Sequence, residues 1–457
     1  MKKLQITAIV LCLSVMLGLF PMSALAEAVS VPELKSAESA IIGDMGTGRI
    51  LYNMNAYSRR EPASLTKMMT LLLAVEAIET GKVSETDMVT AGSDCKTGFG
   101  DNSSTAGIHM GETMSLKDLL YCAALESANE ACNIIASHIS GSIDSFVAAM
   151  NERAEELGCS GTHFANTHGM PDDEHYSTAR DLFLIAVEGM RHPLFAALAG
   201  TAEYTTAPTN ASAARLLKSS NALITADSPY SDKYMYDGAV GIKTGHTSAA
   251  GYCLAGAAQR DGVNIVAVVL GAKGDPDSRE FDSFGDTVRL FDWCFENYSY
   301  RTLIAKGTEI AKQAINVGGT QGEVSLVCAN DINALAPKSL DPAALKKTVK
   351  LYSDTLTRAP AEGEELGTVS YADPNDGTEY GTVKLVASGA AAVTTPEPAD
   401  AIESSELGQD QKLAIVIVCA LFVLTVLIFA LLIARKRKAR RRRCAAEKAA
   451  ARRGGRR

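Results

Sequence analysis

Ser64 and Lys67 stand three residues apart in "EPASLTKMM" (61–69), at the mouth of a long apolar run. Positions i and i+3 share one face of a helix, so the hydroxyl and the amine can touch. Serine attacks a carbonyl only when a base takes its proton. A lysine serves as that base when burial and the positive end of a helix dipole destabilise its ammonium. The two residues also suit a plainer role, since serine is a preferred helix cap and a lysine one turn on can point into water. A second copy of the spacing, "SDCK" at Ser93 to Lys96, precedes the loop composition "GFGDNSS" and begins no apolar helix, so it reads as coincidence.

Two distant stretches bear on the choice. "LESANEACNIIASHI" sets Ser127, Ala128 and Asn129 at the junction of two helical runs. A hydroxyl there can pass a proton between lysine and leaving group, and an amide can hold a peptide. A polar helix junction is the structural alternative. "DGAVGIKTGHTSAAGYCLAG" sets Lys243, Thr244 and Gly245 on a strand-like segment. Glycine lets a substrate backbone lie close to a sheet edge, and lysine with threonine can grip a terminal carboxylate. Each three-residue pattern is weak alone.

The elements between these motifs predict an α+β domain over 27–298. "SAIIGDMGTGRILYNMN" alternates around a Gly-Thr-Gly turn and predicts a hairpin over 39–55. Helical periodicity runs over 64–80, 116–126, 129–140, 142–158 and 178–190. "GYCLAGAAQRDGVNIVAVVLGA" (251–272) reads as two apolar strands joined at Arg260-Asp261-Gly262. "RLFDWCFENY" closes the block as an amphipathic helix near Tyr298. Over 299–392 the character changes to short strands such as "TEIAKQAINV", "EVSLVCA" and "GTVKLVAS", which predict a small all-β domain. A polar linker, 393–412, follows.

The ends set the expected location. Residues 1–26 carry Lys2 and Lys3, an apolar stretch and Ala24-Leu25-Ala26, the pattern of a cleaved secretory signal. Residues 413–434 are uncharged and, at about 1.5 Å per residue, long enough for a transmembrane helix. The basic tail 435–457 should then stay cytoplasmic, with the catalytic domain extracytoplasmic on a single-pass membrane protein. That tail has 13 Lys or Arg against Glu447, a net +12. Taking it and the +2 of the signal from the overall −9 leaves the exported part at −23, a poor binder of nucleic acid. Seven cysteines are exported, an odd number at irregular spacing, which argues against a disulfide framework.

Taken in order, the three motifs form the set of penicillin-binding proteins and class A β-lactamases. "PASLTKMMT", "SANEAC", "NTHGM", "HYSTARDL" and "DGAVGIKTGHTSAAGYCL" resemble the serine D-alanyl-D-alanine carboxypeptidases, the type-5-like low-molecular-mass penicillin-binding proteins, over roughly 35–390. The resemblance implies a β-lactamase/transpeptidase-like catalytic domain, an antiparallel sheet with helices, followed by a β-rich domain. It implies that Ser64 attacks the bond between two terminal D-alanines of a peptidoglycan stem peptide, with Lys67 as base and Ser127 as proton relay. Asn129, Lys243, Thr244, Gly245 and His246 would bind substrate, and the backbone N–H groups of Ser64 and His246 would form the oxyanion hole. No metal or cofactor is implied, and β-lactam antibiotics would be covalent inhibitors. His163, His168 and His175 lack a tight ligand spacing and are expected in structural roles.

The chain departs from that family in two ways. It carries a spanning segment and a long basic tail instead of an amphipathic helix, and it lacks an arginine in "LKSSNALITADSPYSDKYMYDG". A β-lactamase or a D,D-endopeptidase would use the same motifs, and a non-catalytic wall-binding protein would not need them intact.

Overall fold

Alternation in the first hairpin sorts side chains to two different cores. In the computed structural model, which describes residues 31–100 and 103–393, strand β1 (Ser39–Asp44) is buried along its whole length. It pairs antiparallel with β2 (Ile50–Met54) on one side and with β5 (Val263–Ala272) on the other. With β3 (Ala239–Thr247) and β4 (Gly251–Arg260) the sheet has five strands in the order β2-β1-β5-β4-β3. Successive residues of a strand face opposite ways. Ile41, Ala255, Val266 and Val268 accordingly join one apolar cluster, and Ala40, Ile42, Leu254, Ile265 and Ala267 join the other. A sheet covered on both faces explains why 251–272 reads as almost continuous apolar sequence.

The first cluster holds the helices α1 (Lys67–Glu79), α2 (Leu116–Ala124), α3 (Asn129–Ser140), α4 (Ile143–Glu156), α5 (Ala179–Arg191) and α6 (Pro193–Gly200). The second is closed by α7 (Asp282–Asn297), through Phe284, Phe291 and Cys294. The buried carboxylate of Asp286 on α7 receives the backbone N–H groups of Lys35, Ser36 and Ala37, which docks the start of the domain.

Where sequence and structure differ, the reason is local. The helix expected over 64–80 is split, with a 3-10 turn at Ala63–Thr66 leading into α1. Helix α6, "PLFAALAG", was not expected, because eight mostly apolar residues carry no polar face to mark a period. Helix α7 begins at Asp282, seven residues before the expected start, since Gly285 and neighbouring polar residues hide its first turns. Cys95, Cys122, Cys132, Cys159, Cys253, Cys294 and Cys328 are free and buried.

Beyond α7 the chain is β-rich. Tyr298–Ile304 pairs with Ile332–Pro337, and Glu365–Ala372 pairs with both Lys346–Leu351 and Glu379–Val393, all antiparallel. Residues 314–323 belong to a separate small unit, a turn at Gly318-Gly319 between two strands. Among the described residues no single helix is long and apolar enough to cross a membrane. The bent pair α5–α6 passes on composition but contributes Leu182, Phe183, Ile185 and Leu198 to the buried core. The expected signal (1–26), spanning segment (413–434) and tail (435–457), and the linker after 393, lie outside the described residues.

Candidate active site

The turn that carries Ser64 bears on the choice between cap and chemistry. Neither the 3-10 turn nor α1 has a side-chain cap, so Ser64 is not a capping serine. It is half-buried, while Lys67, the first residue of α1, is 0 % exposed. Lys67 Nζ lies 2.9 Å from Ser64 Oγ and donates to the carbonyl of His168 at 2.7 Å. Among the described residues no carboxylate pairs with it. Burial pushes its amine down to about 8, offset in part by Cys132 and Glu130.

The segment 163–178 holds that turn from outside. Thr70 Oγ1 donates to the carbonyl of Thr167 at 2.6 Å, and Thr66 Oγ1 lies 2.8 Å from His175 Nε2. The backbone N–H groups of His168 and Gly169 donate to Asn166 Oδ1, which curls the loop so that its carbonyl meets Lys67. Gly169 has φ +91°, and a Cβ there would lie 1.8 Å from the carbonyl oxygen of Ala63. Only glycine permits that approach.

Ser127 and Asn129 arrive from the α2–α3 junction. Ser127 takes a left-handed conformation, φ +57°, which ends the first helical run and aims its side chain into the cleft. Its Oγ is buried without a hydrogen-bond partner. The backbone N–H of Asn129 donates to the carbonyl of Ser104, fixing the start of α3 to the loop before it.

The third motif lies on β3, the edge strand. A Cβ on Gly245 would come within 3.1 Å of the Ser64 nitrogen, so the strand runs directly beside the turn that carries Ser64. Lys243 is 2 % exposed and donates to the carbonyl of Thr244 at 3.1 Å. Burial, and then the neighbouring Lys67, push its amine down to about 7. Thr244 Oγ1 lies 2.6 Å from Ser220 Oγ, and the His246 ring stacks on Tyr252 with centroids 4.1 Å apart. Ser64, Ser127, Asn129, Thr244, Gly245 and His246 all line one cavity of about 960 Å³. Lys67 and Lys243 sit behind its wall.

Comparison with known proteins places this arrangement. Residues 26–274 match the family described as D-alanyl-D-alanine carboxypeptidase, and residues 298–392 match the C-terminal domain of penicillin-binding protein 5. The chain is 33 % identical to D-alanyl-D-alanine carboxypeptidase DacF of Bacillus subtilis over 333 residues, which cover 73 % of this chain and 80 % of that one. It is 32 % identical to DacA of Escherichia coli over 345 residues, covering 75 % and 80 %. The crystal structure of penicillin-binding protein 5 from Haemophilus influenzae superposes with a TM-score of 0.62 at 28 % identity, over 80 % of this chain and 99 % of that one. The chain belongs to the D-alanyl-D-alanine carboxypeptidase family. It is a serine carboxypeptidase of the type-5-like penicillin-binding class, with a mixed α/β transpeptidase-like fold followed by a β-rich domain. Nothing in the comparisons favours a β-lactamase, an endopeptidase or a non-catalytic wall protein.

Within this carboxypeptidase the histidines divide their work. Burial pushes His168 down to about 3 and His175 to about 4, so both rings are neutral. Their ring nitrogens meet Thr97, Thr66 and Ala165, and His163 Nδ1 meets the carbonyl of Glu174. What motif reading missed is that the backbone of His168 touches Lys67; a main-chain carbonyl leaves no mark in residue types. At the place where an upstream arginine was sought, Ser220 stands beside Thr244, and Lys218 lines the same cleft with its amine on Asp227 at 3.0 Å. Near the other end of α1, ligand atoms of Glu76, Glu188 and His192 lie within 4.8 Å of one another. Arg153 already bridges the two carboxylates at 2.8 and 3.0 Å, so this is an ion-pair network.

Proposed function

We propose that Ser64 is the nucleophile that removes the terminal D-alanine from peptidoglycan stem pentapeptides, with Lys67 as its base. The observation that carries this is the 2.9 Å approach of a wholly buried amine to the serine oxygen. In its neutral form Lys67 keeps one N–H on the His168 carbonyl and turns its lone pair to the Ser64 O–H. As Oγ bonds to the carbonyl carbon, the proton passes to Nζ. The backbone N–H groups of Ser64 and His246 receive the oxyanion, and such donors are worth about 3–4 kcal/mol each. Ser127, whose Oγ has no competing partner, relays the proton to the departing D-alanine amine. Water then attacks the acyl-enzyme with Lys67 again as base. Asn129 binds the peptide amide, Gly245 lets the substrate lie along β3, and Lys243 with Thr244 holds the free carboxylate.

β-Lactams acylate the same oxygen. Water activation for fast deacylation needs a second base, and the nearest carboxylate after Ser127, Glu130, is committed elsewhere: its Oε1 receives the N–H of Ala106 and the hydroxyl of Thr105. The penicillin adduct at Ser64 should therefore be long-lived. The uncharged run 413–434 and the cationic tail support a single-pass protein with its catalytic domain outside the cytoplasm and its tail within. Full-length protein incubated with a pentapeptide should release one D-alanine by mass spectrometry, and Ser64→Ala should release none. Rapid penicillin turnover without D-alanine release would reverse the assignment.

A further inference from the structure

A carboxylate buried immediately behind the cleft takes no part in the chemistry just described. Glu130, the second residue of α3, is 1 % exposed. Its Oε1 receives three donors from one segment, Thr105 Oγ1 at 2.7 Å and the backbone N–H groups of Ala106 at 2.8 Å and Ile108 at 3.3 Å. Its Oε2 is buried with no hydrogen-bond partner. The preceding residue, Asn129, ties its own N–H to Ser104, and Ser103 and Ser104 form part of the cleft wall.

We propose that Glu130 is a positioning residue of the carboxypeptidase site, clamping the 104–108 segment to the Ser127–Asn129 junction and placing a buried negative charge in the neighbourhood of Lys67. A buried carboxylate with one unpaired oxygen is costly unless something compensates its charge. The groups around it identify the compensation. Arg215 feels Glu130 but is already held by Glu112, its Nη1 2.7 Å and its Nη2 2.9 Å from that carboxylate. Cys122 on α2, Cys95 in the preceding loop and Cys132 on α3 are pushed up by burial and stay neutral. Lys67 remains, and Glu130 opposes the effect of burial on its amine. Lys243 lies close enough to Lys67 to feel its charge, as do the neutral His168 and His175. Removing the charge of Glu130 therefore shifts the proton balance of the lysine pair.

The inference rests on Lys67 being the base, and the test separates the two claims. Full-length Glu130→Gln keeps an oxygen for the three donors and loses only the charge. The pH profile of Ser64 acylation by a fluorescent penicillin should have its acid limb moved to lower pH by roughly half a unit to one unit, with little change in melting temperature. An unmoved limb overturns the charge role. Glu130→Asp keeps the charge but retracts it by one methylene from the 104–108 segment. Its acid limb should stay in place while KM for a pentapeptide rises several-fold; a moved limb or an unchanged KM overturns the proposal, and this holds even if the glutamine variant fails to fold. Absence of acylation in the unsubstituted protein would instead sink the assignment of Ser64 and Lys67.

Discussion

Replacing Gly169 with alanine asks whether the loop over Ala63 sets the position of the nucleophile. The new Cβ would stand 1.8 Å from the Ala63 carbonyl oxygen, 2.4 Å from its carbon and 2.8 Å from Thr66 Oγ1, at φ +91°. A non-glycine residue in left-handed backbone costs about 1–2 kcal/mol, and relieving overlap with a packed backbone costs about 1–3 kcal/mol more. The sum, roughly 2–5 kcal/mol, should lower the melting temperature by several degrees. The chemical effect should be larger than the loss of stability suggests. The overlap cannot be relieved by a rotamer change, since two of the three atoms are main chain, so the loop must withdraw by about an ångström. That withdrawal carries the His168 carbonyl away from Lys67, now 2.7 Å apart, and a misplacement of this size costs on the order of 100-fold in rate. Acylation by a fluorescent penicillin, followed in rapid mixing, reads it directly. Gly81→Ala is the control, with φ +71° and nothing within 4 Å of the added carbon. It should lose about 1 kcal/mol and no acylation rate. If Gly169→Ala acylates within two-fold of the parent, or if Gly81→Ala slows equally, the loop does not position the nucleophile.

Other consequences are equally open to measurement. Lys67, held near 8, must be neutral to act as base, and Lys243, held near 7, must keep its proton to attract a carboxylate. kcat/KM should then be bell-shaped, rising from pH 6 as the coupled lysine pair loses its first proton and falling above 8 as it loses both, with apparent values belonging to the pair. A flat profile from pH 6 to 9 contradicts this. Thr244→Val removes a hydroxyl held by Ser220 beside the cleft and should raise KM for the pentapeptide roughly 10- to 100-fold, the worth of a hydrogen bond to a charge, with a smaller effect on kcat. An unchanged KM would remove Thr244 from the carboxylate site. The seven buried cysteines, whose thiols burial raises, should resist a thiol reagent in the folded protein and all react once it is denatured. Fast labelling of Cys132 in the native state would show the core to be open.

The active-site motifs were legible because each depends on side chains at fixed spacing. The Ser64–Lys67 pair, the Ser127–Asn129 junction and the Lys243–Gly245 strand could be named from their residues, and the family resemblance supplied their order. The apolar strands of 251–272 and the α1, α3 and α5 runs were visible because they are long and periodic. Helix α6 and the first turns of α7 were hidden, one by uniform hydrophobicity and the other by glycine and polar residues. The sequence also offered no sign that the His168 carbonyl meets Lys67 or that Glu130 reaches back to Thr105, since both contacts join segments far apart in the chain. Ser64 was ambiguous only when taken alone; the three-motif set assigned it, and its turn carries no side-chain cap.

The most direct test is mass spectrometry of the full-length protein after brief exposure to a pentapeptide ending in two D-alanines, and separately to penicillin. The expected result is loss of one alanine from the peptide and a persistent adduct on the tryptic peptide containing Ser64, both abolished by Lys67→Ala. Peptide cleavage that survives without the Lys67 amine, or an adduct on any other residue, would contradict it.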